Sequence, residues 1–227
     1  RGVSRQARLV VVLAVATAGV LGVVLWGPIP QDQAYHRFAD CRTLLGVPNA
    51  LDVLSNLPFL AAGWLGLDAL RRGRAVVTLP WERRAWVIVF VGVALTAFGS
   101  GWYHLDPHDA SLAWDRLPMT IVFMAFFAVV LGERVAPRLG AASLWPLLAA
   151  GVLSIVLWRA TGDLRAYAIV QFAPLVVIVL LLALLPGRYD RAGDVWIAAG
   201  WYAAAKVLEA TDRQAFAALG ETVSGHT

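Results

Sequence analysis

Two short runs carry residues whose types and spacing suit chemistry. One is Gly99-Ser100-Gly101-Trp102-Tyr103-His104-Leu105-Asp106-Pro107, and the other is Trp114-Asp115-Arg116. Ser100 and His104 are four apart, so on a helix they share one face, one above the other. They end a long apolar run. Asp115 follows a short polar loop and precedes the next apolar run. A hydroxyl, an imidazole and a carboxylate thus gather at one mouth of a helix pair, and His226 near the end of the chain is a fourth candidate. A catalytic zinc site needs imidazoles from converging segments and a coordination position left for water. His104 and His226 can supply two of them. His36, in the first outer loop, and His108, on a solvated loop, read as surface histidines. Each member of the group also has a plainer reading. Ser100 can bond back to the carbonyl four residues earlier. His104 can be an interfacial histidine at a helix end. Asp115 can be an N-cap, with Pro118 in the first turn that follows.

These residues must be positioned by apolar helices. Of the 227 residues, 59% are hydrophobic and only 15% charged, against about 25% charged in soluble domains. The apolar residues come in blocks long enough to span a bilayer. The expected fold is an all-α, multi-pass transmembrane helix bundle. Spans are predicted near 9–26, 51–70, 85–104, 117–131, 143–158, 167–185 and 194–208. The fifth is short, and Pro174 is set to kink the sixth. Seven spans are visible, with no internal repeat. Cys41 is the only cysteine, which excludes an intrachain disulfide and a cysteine-based zinc site. The net charge of +4 is almost all arginine. That excess is topological and gives no reason to expect a nucleic-acid partner. The N-terminus and the loops after spans two, four and six hold twelve arginines, and the alternate loops hold six. The asymmetry predicts a cytoplasmic N-terminus. It puts His104, Asp115, the region from Asp40 to Asp52 and His226 together on the extracytoplasmic side of a cell membrane. The chain starts without Met and ends one residue after His226, so both ends read as trimmed. Its first apolar run reads as a retained span rather than a cleaved signal.

Ser100-xxx-His104, Asp115 eleven residues after the histidine, and the late Ser224-Gly225-His226 resemble the alkaline ceramidase family. This is part of a membrane hydrolase superfamily that includes the progestin and adiponectin receptors. Phe38-Ala39-Asp40-Cys41-Arg42, the run from Pro48 to Phe59 and Trp114-Asp115-Arg116-Leu117-Pro118-Met119 are similar to its bacterial members. The resemblance covers the chain from about Phe38 onward. It divides the chain into an extra N-terminal span, 1–27, and a ceramidase-like bundle, 28–227. It implies one zinc ion held by His104, His226 and a histidine four residues later, at position 230, beyond Thr227. A truncated eighth span is expected there. It matches Ser100 and Asp115 to the family's serine and aspartate. Some members also bind calcium near the first conserved helix, where oxygen ligands are required. Asp40, Asn49 and Asp52 are the candidates here, with capping of span two as the other reading of Asn49 and Asp52.

The expected function is therefore zinc-dependent hydrolysis of a lipid amide, with a ceramide-like sphingolipid reaching the site from the bilayer. Two other classes stay open. One is a hydrolase of another lipid, an ester or glycerophospholipid. The other is a non-enzymatic receptor or scaffold of the same superfamily, in which the polar cluster is structural. The sequence leaves the oligomeric state open.

Overall fold

The structure is a computed structural model and describes residues 3–190 and 192–226. Arg1 and Arg191, which enter the arginine asymmetry, lie outside the described residues. So do Thr227 and the expected eighth span. The fold is all-α, a helical bundle without strands among the described residues. In order the helices are α1 (Arg5–Trp26), α2 (Ala50–Leu54), α3 (Leu57–Arg71), α4 (Pro80–Leu105), α5 (Asp109–Arg134), α6 (Pro137–Thr161), α7 (Arg165–Leu184), α8 (Ala192–Ala210) and α9 (Asp212–Ala218). A short 3-10 turn, Gln33–His36, sits in the first long loop.

Six helical runs are long and apolar enough to cross a membrane: α1, α2 with α3, α4, α5, α6 and α7. The chain is a multi-pass membrane protein on that basis. The seventh expected span corresponds to α8, which is not among the six. Asp194, Lys206 and Glu209 fall within its 19 residues and dilute its apolar character. Two other expectations need correction. The fifth span is not short: Pro137 opens α6 at its first position, and Gly162, at φ 73°, ends it after 25 residues. The fourth begins at Asp109, eight residues before the expected start.

The chain divides into two compact units, and α4 and α5 each contribute to both. One unit gathers the chain up to Pro30, Ala75–Val89 and Thr120–Ala192. Its core includes Ala85, Ala125, Ala128, Leu144, Trp158 and Leu181. Here α1 packs along α7 and is tied at both ends. Arg5 donates to the Val135 carbonyl at 2.6 Å and Arg8 to the Leu184 carbonyl at 2.7 Å. Cations thereby satisfy carbonyls left over at the ends of α5 and α7. At the other end, the Ile29 amide donates to Asp163 at 3.0 Å and the Leu164 amide to the Ile29 carbonyl at 2.8 Å.

The second unit comprises Gln31–Arg74, Phe90–Met119 and Gly193–Thr227. All the site residues named from the sequence lie in it.

Candidate active site

Asp115 reaches its place because α5 starts early. His108 occupies the position before the helix. Its Nδ1 accepts the Ser111 amide at 2.9 Å, and its own amide donates to Ser111 Oγ at 3.2 Å. This is the reciprocal arrangement of a capping box, with histidine in place of the usual hydroxyl or carboxylate. Asp115 consequently lies inside the helix and is not an N-cap. His108 remains solvated, with half of its side chain exposed.

Pro118, further along α5, has no N–H to give the Trp114 carbonyl. Gly99 of α4 lies against that carbonyl. A Cβ on residue 99 would overlap the Trp114 oxygen and come within 2.9 Å of its carbonyl carbon. The close approach sets the next residue of each helix side by side. The Ser100 hydroxyl lies beside the Asp115 carboxylate, and both residues are buried.

His104 lies one turn beyond Ser100 and is 6% exposed. Its backbone is held from outside the helix. Asn49 Nδ2 donates to the His104 carbonyl at 2.7 Å, one of the carbonyls an α-helix end leaves unmatched. Asn49 adopts a left-handed conformation, φ 47°, and makes no side-chain cap to α2. The capping reading of Asn49 is therefore replaced by a link between the first loop and α4.

His226 comes from the irregular tail after α9. Gly225 allows this, since a Cβ there would overlap the Leu208 carbonyl oxygen of α8. The Gly225 amide donates to Asp212 Oδ1 at 2.7 Å, and the other oxygen of Asp212 accepts the Ala39 amide at 2.7 Å. His226 Nδ1 is 3.3 Å from that same oxygen, a charge contact too bent to be a full hydrogen bond. Asp212 lies outside the membrane spans. Burial pushes its carboxyl up, but the two amides and the His226 imidazole hold it below the ordinary aspartate range.

The His104 and His226 rings are 6.0 Å apart between centroids, and Phe38 lies 4.8 Å from each. Among the described residues, His104 Nδ1 and both ring nitrogens of His226 are buried without a hydrogen-bond partner. Buried polar atoms are normally satisfied, and exceptions call for a cause. A metal ion shared by the two rings is one such cause. Two imidazoles are fewer than the three protein ligands usual at catalytic zinc. Among the described residues, no group of three or more His, Cys, Asp or Glu side chains is arranged to hold an ion.

Calcium fits less well. Asp40 is closed off by Arg42, whose Nε and Nη2 meet its two carboxylate oxygens at 2.7 and 2.6 Å. The guanidinium already supplies the positive charge there and holds the Asp40 carboxyl below its usual range. Asn49 is committed to His104, and Asp52 accepts the Ser224 hydroxyl at 3.0 Å. The three candidates thus serve three different partners.

No family model, curated protein or solved structure matches the chain.

The structure adds residues that the sequence did not single out. Tyr35 donates to Glu209 at 2.8 Å, and Glu209 pairs with Lys206 one turn earlier on α8. Burial pushes the Tyr35 phenol well above its ordinary range, so it stays a donor. Arg116 lies 5.6 Å over the Tyr35 ring. His36 is not a surface histidine: its side chain is only 9% exposed. It sits between the Tyr103 hydroxyl at 3.0 Å and Asp109 at 2.9 Å. A visible signal existed for Glu209 and Asp212 alone, acidic residues three apart just after the last apolar run. Tyr35 and His36 sit in a polar loop whose path no periodicity reveals.

Proposed function

We propose that the protein is a zinc-dependent integral membrane hydrolase that cleaves a lipid amide, with a ceramide-like sphingolipid as substrate. The reading is supported most by one observation. Ser100 lies beside a buried Asp115 one helical turn from His104, and His104 in turn faces His226 with unpartnered nitrogens on both rings. A purely structural cluster would satisfy those atoms, because unpaired buried polar groups cost about 1–3 kcal/mol each.

Bound zinc would supply Lewis-acid polarisation of the substrate carbonyl. His104 and His226 would hold it. Asp115 takes a proton from the attacking water and returns it to the leaving amine. Ser100 keeps Asp115 oriented and has a hydroxyl to offer the developing oxyanion. Phe38, wedged between the two imidazoles, excludes bulk water from that side. The acyl chains lie against the apolar helix faces within the bilayer. On this reading the N-terminus is cytoplasmic and the site opens toward the extracytoplasmic face of the cell membrane.

The test is ceramide amide hydrolysis by full-length protein in detergent or liposomes, with zinc quantified for each variant. His104→Ala should lose both zinc and turnover. Asp115→Asn should keep the metal and the fold, because asparagine fills the same volume. It should nevertheless lose about 10²–10⁴-fold in rate. Ser100→Ala should lose about 10²–10³-fold at most. Near wild-type turnover by Asp115→Asn would defeat the acid–base assignment. A wild type without stoichiometric zinc would favour a receptor or scaffold.

A further inference from the structure

We infer that Asp212 is the positioning residue of His226, fixing which imidazole nitrogen faces the site. The inference rests on the metal-dependent reading above and goes beyond it in naming a residue that touches neither substrate nor ion. Asp212 Oδ1 and Oδ2 accept the amides of Gly225 and Ala39, each at 2.7 Å. Those two bonds fix the carboxylate against the first loop and the tail at once. Its Oδ2 then lies 3.3 Å from His226 Nδ1. The contact is not a full hydrogen bond, but a carboxylate there is an acceptor only and repels a lone pair, so it favours the tautomer with the proton on Nδ1. The lone pair is left on Nε2, which is buried and has no partner among the described residues. The His226 backbone is held independently, because its amide donates to Ser224 Oγ at 3.1 Å and Ser224 bonds Asp52. Phe38 and Tyr35 pack against the ring without telling its two nitrogens apart, and Asp212 is the charged group beside one of them. Carboxylates in this relation to a ligating histidine typically alter metal affinity 10–100-fold when removed.

The experiment combines three measurements on full-length protein. Zinc affinity is determined by chelator competition for wild type and Asp212→Asn. Thermal stability is measured for both. The imidazole nitrogen spectrum of metal-stripped wild type, labelled with nitrogen-15 at histidine, reports the tautomer of His226. The expected result is an Asp212→Asn protein that folds and binds zinc 10–100-fold more weakly, with wild-type His226 protonated at Nδ1 before metal is added. A folded Asp212→Asn that binds zinc as tightly as wild type overturns the inference. So does a stripped wild type with the His226 proton on Nε2, and that measurement decides the matter if the variant fails to fold. Wild type that takes up no zinc but holds the Nδ1 proton supports the positioning role and defeats the metal reading instead.

Discussion

Gly99→Ala is expected to separate Ser100 from Asp115, and the structure sets the size of the effect. The three atoms nearest the added Cβ are all backbone: the Trp114 oxygen, its carbonyl carbon at 2.9 Å and the Asp115 Cα at 3.3 Å. No side chain can rotate away to make room. Close carbon–oxygen contacts lie at about 3.3–3.6 Å, so α4 and α5 must part locally by about 1 Å. Overpacking of this kind costs about 1–3 kcal/mol. Alanine recovers up to about 1 kcal/mol through its better helix propensity. Gly101, two residues along the same helix, provides the control, because a Cβ there meets nothing within 4 Å. Gly101→Ala keeps the propensity gain without the clash, so the two variants should differ by about 1–3 kcal/mol in stability. The parting also moves the Ser100 hydroxyl away from the Asp115 carboxylate. A displacement of 1 Å in a catalytic array can cost about 10²-fold in rate. The assay is thermal unfolding in detergent together with lipid amide hydrolysis, the two alanine variants side by side. Equal melting temperatures and equal turnover would refute the claim that the Gly99–Trp114 approach positions the pair.

Two further outcomes follow from residues outside the site. The Ile29 amide on Asp163 holds that carboxyl below the ordinary aspartate range, assisted by the amide and guanidinium of Arg165. A depressed value means the anchor of α1 is at full strength above about pH 3.9 and is lost as pH falls through the lower folded value. Hydrogen-exchange protection at Ile29 should therefore persist at neutral pH, collapse in strong acid, and be weak throughout in Asp163→Asn; pH-independent protection contradicts this. Orientation can be tested with the single native cysteine, which is exposed in the first loop. A membrane-impermeant thiol reagent should label Cys41 in intact cells, and should reach Arg74→Cys in a Cys41→Ser background only after permeabilisation. The opposite pattern reverses the topology and the proposed location of the site.

The helices were legible because their apolar runs are long. Each expected span lies within a few residues of a helix, apart from the early starts of α5 and α6. Those starts were hidden for local reasons. His108 is not a usual capping residue, and its reciprocal bonds with Ser111 appear only once the loop is folded. Pro137 opens α6 within a polar segment that hydropathy assigns to a loop. The meeting of Ser100 with Asp115, and of His104 with His226, was suggested by spacing and by arginine topology. What spacing could not reveal was the means. Gly99 and Gly225 matter for what lies against them, and a carbonyl freed by Pro118 leaves no trace in a hydropathy pattern. His36 departs from its expected place for the same kind of reason: loop histidines are usually solvated, and only the fold brings Tyr103 and Asp109 to its two nitrogens.

The acidic residues of the first loop, α2 and α9 show how a chemical group on an irregular tail can be fixed as firmly as one on a helix. His226 has no helix of its own, so its position must come from tertiary bonds. Three aspartates provide them. Asp40 holds Arg42, which donates to the Thr222 carbonyl at 2.8 Å. Asp52 accepts from Ser224, and Asp212 accepts from Gly225. Each bond fixes a different residue of the tail, and each aspartate is itself buried. Charges are seldom buried without partners, and here each of the three has a partner that is part of the tail or leads to it. Asp40 and Asp52, two of the three calcium candidates, thus act together with Asp212 as successive clasps on the segment that carries His226. Loss of one clasp leaves two, so the tail should loosen in steps rather than detach at once. Asp212 is the exception in consequence, because it alone of the three also reaches the imidazole.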